Sequence, residues 1–456
     1  MRDRLGQILD ALFEHYVFVL LILAQAALAQ FGVANALSCG MVGLLLCAAG
    51  LGLRRSACID PWVAVPMAAY LFLGMASSYM TYGNTVRGYP ATHVIFFAIY
   101  FLMACMDGGE LRLFKRLNAL WAGCAAAISL GMFLLRALAG TAGRLGGLLH
   151  NPNALGIFLV VGWFAVTACL EEGGEDLLDR LLRYAEPLIL TTLALTLSMG
   201  SFAAMAAGIL VLLLEKKRRS SWREVFDCGC RVLAKASLCF AAGILMYLTA
   251  RQTRIPWLCL LLAVWLLALA ASWGTFERFL GAYRWAAAGL SGGGLAVAAA
   301  AVVIRPSAVA TFTERIEMMK NGLGYILFHP VLGLGPGQWR EWNLYDGDKY
   351  FGTWHIHNFL IHTGVELGLI AMAMLVIILL RHFRKTGAPG AAAFVVHNLM
   401  DTSFFYSGIT TLMLVSVGEP QKGGKPLGRT VTRAVLLLMM AHFAWCCVYM
   451  IWTYFL

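Results

Sequence analysis

The sequence predicts an all-α integral membrane protein that crosses the bilayer many times, and three observations predict it. Of 456 residues, 60% are hydrophobic and 13% charged, with a mean hydropathy of +0.75; a soluble domain carries roughly 25% charged residues. Apolar runs close to the ~20 residues that cross a bilayer as helix recur along nearly the whole chain. These runs are continuous, whereas a membrane barrel shows alternating segments of ~10 residues.

Taken in order, the expected spans cover 16–32, 35–53, 61–80, 91–106, 117–138, 152–170 and 187–214 in the first half. The second half adds 232–250, 255–272, 285–304, 357–380, 389–418 and 434–454. The start, MRDRLGQILDALFEHY, is charged and has no small-residue cleavage site, which predicts a retained anchor. Two spans are too long for one crossing and are interrupted, 187–214 at Ser198-Met199-Gly200-Ser201 and 389–418 near Asp401-Thr402-Ser403.

Charge decides how to read those two. With Arg2 and Arg4 inside, Arg54-Arg55 and 112–116 also fall inside, where basic residues accumulate. Lys216–Arg223 and Lys422–Arg433 stay inside only if each long segment is a hairpin of two short helices. That gives about fifteen membrane segments, within a range of about 12–15. The acidic loop 171–186 also falls inside, which matters little because acidic residues weigh weakly in the rule. Three regions follow: N-terminal helices over 1–304, one large external loop over 305–356, and C-terminal helices over 357–456. No internal repeat is evident.

The same patterning excludes other classes. The net charge of +11 gathers in short loops such as Lys216, Lys217, Arg218, Arg219 and Arg223, which argues against nucleic acid. The twelve cysteines lie mostly inside apolar spans and none lies in the polar loop, so no disulfide framework is expected. Cys228-Gly229-Cys230 has no second ligand pair for zinc. Asp346-Gly347-Asp348 reads as solvated carboxylates rather than a metal site.

The chemistry concentrates in the polar stretch 305–368. Six of ten histidines fall on or near the expected outer face: His93, His150, His329, His355, His357 and His362. Asn358, His362 and Glu366 stand four residues apart and stack on one helix face. Glu366 is about two turns into a span, where an ionisable group marks a function unless it only pairs with a neighbour such as His362. Upstream, Ile316, Met319, Leu323 and Leu327 form an apolar stripe opposite Glu314, Glu317 and Asn321, the pattern of a helix lying on the membrane surface. Arg315 at its edge suits either a phosphate or a lipid headgroup. In HPVLGLGPGQW, Gly333, Gly335 and Gly337 let backbone N–H groups approach an anion. It is no dinucleotide fingerprint, because no strand–helix unit surrounds it.

Together these residues resemble the O-antigen ligase and surface-polysaccharide polymerase family of bacterial membrane glycosyltransferases. The resemblance rests on Arg315, the Pro330–Gly337 turn, and His357-Asn358 followed by Gly368. GRLGGLLHNPNALG (143–156) is similar to the family's Arg…Asn-Pro-Asn segment, and VVHNLMDTSFF (395–405) resembles its hairpin with an acidic tip. Where the family usually carries Ser-Arg-Gly-Ala, this chain reads Ser198-Met199-Gly200-Ser201. Either Arg144, Arg136 or Arg87 replaces that arginine, or the donor is handled differently.

The resemblance implies a metal-independent, cofactor-free enzyme in a bacterial cytoplasmic (inner) membrane, its site facing outside. The donor would be a glycan on undecaprenyl pyrophosphate, and the acceptor a glycan or lipid-linked sugar. Arg315 and His357 would be catalytic, Arg315 neutralising the pyrophosphate and His357 acting as general base or orienting the acceptor. Arg144, Asn151, Asn153, Asn358, His362, Glu366, Gly335, Gly337 and Asp401 would bind substrate. Two other readings stand: a transporter or flippase of lipid-linked or polar solutes, and a structural assembly protein.

Overall fold

The computed structural model describes residues 16–28, 35–53, 55–174, 176–253, 256–293, 308–346, 350–386 and 389–455. The fold is all-α. Among the described residues eight helices are long and apolar enough to cross a membrane, or up to nine if one bent pair counts as a span. Three shorter apolar helices accompany them. This is the architecture of a polytopic membrane protein. The expected retained anchor at 1–15, the Arg305 end of the polar stretch, the second half of span 285–304, and Asp348 lie outside the described residues.

The helices are α1 (Tyr16–Leu28), α2 (Ala36–Leu53), α3 (Pro61–Tyr82), α4 (Tyr89–Met103), α5 (Gly108–Leu138) and α6 (Pro152–Glu171). Next come α7 (Leu177–Thr196), α8 (Met199–Arg219), α9 (Trp222–Leu248), α10 (Pro256–Ala271), α11 (Trp273–Ala282) and α12 (284–293). The remainder are α13 (Ala308–Phe328), α14 (Gln338–Asp346), α15 (Phe359–Thr386), α16 (Pro389–Asn398), α17 (Ser407–Val417) and α18 (Arg429–Phe455). Two-residue strands β1 (Cys58–Ile59) and β2 (Lys425–Pro426) pair antiparallel.

The chain divides into two compact units. The first holds Met1–Phe114, Thr313–Thr386 and Asn398–Leu456. Its centre is α4, apolar all round and buried on nearly every residue, as expected of a helix enclosed by others. Helices α2, α3 and α17 surround it, α18 packs on α2, and α15 packs on α3. Asp60 sets the start of α3: its carboxylate accepts the Trp62 N–H, and Pro61 supplies a pre-set first turn. Asp60 also accepts from Arg381 Nε at 2.9 Å, fixing the far end of α15.

The second unit holds Lys115–Phe312 and Gly387–His397, and α6 plays the central part there. Asn151 caps α6 by accepting from the N–H groups of Asn153 and Ala154. Helices α7 and α8 both pack on α6, and α7 also on α9. The segment expected to break at 198–201 does break there: Leu197 takes a left-handed conformation (φ 47°), and Ser198 caps α8. The segment 389–418 is likewise two helices, separated around Asp401.

The stripe expected on 314–328 is shared between the protein and the outside. On α13 the buried residues are Met318, Met319, Tyr325 and Ile326, with Ile316 half-buried beside them. Leu323 is exposed, and Leu327 is 81% exposed. The helix has two apolar faces, one in the protein and one turned outward, and periodicity registers both.

Candidate functional site

The site is built on a break in α15. Gly368 has φ 84° and ψ 172°, which no helix contains and which essentially only glycine adopts. The break strips the carbonyls of Val365 and Glu366 of their helical donors. The glycine-rich turn supplies replacements: Leu334 N–H donates to Val365 O at 2.8 Å and Gly335 N–H to Glu366 O at 3.0 Å. In return Leu369 N–H donates to Pro330 O at 2.8 Å. Backbone meets backbone here, so side chains do not fit. A Cβ on Gly333 would overlap the Glu366 carbonyl, and one on Gly368 the Val331 carbonyl.

Glu366 is completely buried. Its Oε2 accepts the Gly337 N–H at 2.8 Å and its Oε1 the Trp339 N–H at 3.2 Å. Both donors stand at the N-terminus of α14, where unpaired N–H groups and the helix dipole favour a carboxylate. The anion cradled by the turn is therefore Glu366 itself. The N–H groups of Gly335 and Gly337, which the resemblance turns toward a substrate, are both engaged within the fold. Tyr82 closes the arrangement by donating to Pro336 O at 2.5 Å.

A line of histidines leads away from Glu366. His362 Nε2 lies 3.4 Å from Glu366 Oε2 and 3.1 Å from His355 Nδ1. His362 Nδ1 accepts the Ile356 N–H at 3.4 Å. Those partners assign the tautomers. With Nδ1 of His362 accepting, its Nε2 carries the proton and points it at Glu366 and His355. His355 then accepts at Nδ1 and holds its own proton on Nε2. Its ring stacks on Phe405 with centroids 4.3 Å apart. Burial pushes its pKa well below the usual range, and the neighbouring His362, His357 and His93 add to this. His355 is a neutral N–H donor.

His357 differs. Its Nδ1 is buried and has no hydrogen-bond partner among the described residues. Burial lowers its pKa to about 4; the Asp401 carboxylate opposes this and the Arg315 guanidinium adds to it. It is therefore neutral at pH 7 with a lone pair available. Arg315, on α13, donates through Nη2 to Asp401 Oδ2 at 3.1 Å and through Nη1 to Met400 O. Its Nε is buried without a partner among the described residues. Asn358 is a cap: its Oδ1 accepts from the N–H groups of Leu360 and Ile361 at 3.1 and 3.0 Å, while its Nδ2 donates to Leu399 O at 3.1 Å. Asn358 thus ties the start of α15 to the tip that carries Asp401.

Two tyrosines join this unit that the sequence reading missed. Tyr70 hydrogen-bonds His93 Nδ1 at 2.9 Å. Tyr89 packs between His93, His362 and Phe405, and its buried hydroxyl has no partner among the described residues. Both sit in apolar helices, where a tyrosine looks like core. The available signal was the four-residue spacing of Tyr89 and His93, which places them on one helix face.

The other candidates belong to the second unit. Arg144 Nε donates to Thr196 O and its Nη2 to Asn153 Oδ1, both at 3.0 Å. Ser198 Oγ also donates to Asn153 Oδ1, at 3.1 Å, and Ser201 Oγ to Ser198 Oγ at 2.9 Å. The Arg144 guanidinium is thereby held beside the Ser198–Ser201 tip. Asn151 is occupied as the cap of α6.

No family model matches this chain, and no curated protein is significantly similar to it.

Proposed function

We propose that the protein is a membrane glycosyltransferase of the O-antigen ligase and polysaccharide polymerase kind. It would move a glycan from undecaprenyl pyrophosphate to a sugar hydroxyl at the outer face of a bacterial cytoplasmic membrane, with about 12–15 membrane segments in all. The observation that carries this reading is His357: a neutral imidazole with an unpartnered Nδ1, close to an arginine–aspartate pair at the head of a span.

In the proposed reaction the acceptor hydroxyl gives its proton to the unprotonated ring nitrogen of His357 as its oxygen bonds the anomeric carbon. The bond from that carbon to the pyrophosphate oxygen breaks, and the pyrophosphate leaves with the electron pair. Arg315 neutralises the charge that develops on it. One displacement inverts the anomeric centre. His355 cannot serve as the base in the tautomer assigned above; its Nε2–H suits a hydrogen bond to an oxygen of donor or acceptor. The carrier reading, in which Glu366 couples ions to transport, is weakened because both Glu366 oxygens are engaged by backbone N–H groups.

The test is a glycan profile from a deletion strain complemented with wild type, His357→Ala or Arg315→Ala at equal membrane expression. Loss of long or ligated polysaccharide in both, with lipid-linked donor accumulating outside, is the expected result. Accumulation inside would point to transport, and full activity from both variants would remove these residues from the reaction. His357→Gln is expected to lower transfer by at least ~10²-fold, as for a lost general base. In the same assay His355→Gln, which keeps an N–H donor, should stay within ~10-fold of wild type.

The low pKa of His357 predicts a pH profile. The base is neutral above about 4, so it imposes no decline as pH falls from 8 to 5. Its limb falls only as pH approaches 4. An in vitro transfer assay that shows a limb near 6.5, lost in His357→Gln, would contradict this assignment.

A further inference from the structure

The second unit carries a cationic groove that the proposed reaction does not use. Helices α6, α7, α9 and α11 line a cavity of about 300 Å³ whose walls include Glu171, Arg183, Glu186, Arg231, Lys235 and Glu277. A more open groove of about 720 Å³ shares Arg183, Arg231 and Glu277 with it and adds Arg180 and Arg278.

The floor is already satisfied. Glu186, 1% exposed, accepts from Trp163 Nε1 at 3.1 Å, Trp273 Nε1 at 2.7 Å and Lys235 Nζ at 2.9 Å. Lys235 also donates to Glu277 Oε1 at 2.9 Å. The rim is not. Among the described residues Arg180, Arg183, Arg231 and Arg278 have no carboxylate partner; Arg231 and Arg278 bond only their own helices. Four arginines and Lys235 against Glu171, Glu186 and Glu277 leave a surplus of two positive charges (5 − 3) on the two linings. Guanidinium forks at such a place match phosphate oxygens in bidentate fashion.

The surroundings say where the phosphate comes from. Helix α11 leaves α10 at a bend of 66°, so the two are not one straight span. Tyr184, Phe279, Tyr283 and Trp285 are exposed around it. Exposed aromatics beside free cations are the composition of the headgroup level of a bilayer. We propose that this groove binds the phosphate of an anionic phospholipid headgroup, on the face where basic residues accumulate.

The test uses the full chain in nanodiscs of neutral phosphatidylcholine, with or without a diphosphatidyl lipid, and native mass spectrometry of the protein released from them. Retained anionic lipid on wild type, falling at least tenfold in Arg183→Gln/Arg231→Gln, is expected. Lys217→Gln/Arg218→Gln, on α8, should bind as wild type does. Equal retention by the groove variant would overturn the site, leaving only general attraction of basic residues for anionic lipid. Displacement by millimolar inorganic phosphate or pyrophosphate, without preference for the lipid, would overturn the lipid source and assign a soluble phosphate. Should the double variant not fold, Arg180→Gln/Arg278→Gln, both exposed, is read by the same criteria.

Discussion

Gly368→Ala is expected to destabilise the folded protein severely. The residue has φ 84° and ψ 172°, a region that costs a side-chain-bearing residue about 1–3 kcal/mol. A methyl group would also overlap the Val331 carbonyl, which is backbone and cannot rotate away. Together these predict a loss of about 3–5 kcal/mol, a size reserved for core disruption. Gly333→Ala should behave alike, since its Cβ would strike the Glu366 carbonyl. Gly324→Ala is the control: nothing lies within 4 Å of the added carbon, and the position is helical, so stability should hold or rise by about 0.5–1 kcal/mol. Fluorescence-detected size exclusion across a temperature series reads all three. Wild-type behaviour of Gly368→Ala would mean that the turn does not enter the span.

Glu366→Ala is the second large effect. It leaves the Gly337 and Trp339 N–H groups without their acceptor, at about 1–3 kcal/mol each when buried. It also removes the carboxylate facing His362. Glu366→Gln should fall between wild type and alanine, because the amide keeps one acceptor oxygen and turns an NH₂ toward the other donor. Hydrogen exchange at the Gly337 and Trp339 amides locates the damage: both should exchange at least ~10-fold faster in Glu366→Ala, while helix α6 is unchanged. Unaltered exchange at both amides would show that Glu366 does not hold the turn.

How much of this was legible depends on whether the partner was a side chain or backbone. The all-α architecture could be read because a bilayer demands long apolar runs. Glu366 could be read because charge at that depth needs a reason. Its reason could not, since its partners are main-chain N–H groups 29 and 27 residues earlier in the chain. Of the three glycines only Gly337 turns its N–H to a carboxylate, that of Glu366, while Gly333 and Gly335 donate to backbone carbonyls. Asn358 and Asn151 resembled ligand-binding residues, and each is engaged in capping a helix, a role that asparagine's short side chain serves equally well. Tyr70 and Tyr89 were hidden by the apolarity of their helices.

The insertion of residues 330–337 into the break of α15 bears on how the protein is made. A span whose middle carbonyls are bonded by a preceding loop is incomplete when it leaves the translocation machinery. The junction is complete only where the turn has folded back upon it, since Leu334, Gly335 and Pro330 supply its missing partners. The loop and span also form one heritable block: lengthening the turn by a single residue shifts every donor away from its acceptor, so 330–337 and 365–369 have to change together or not at all.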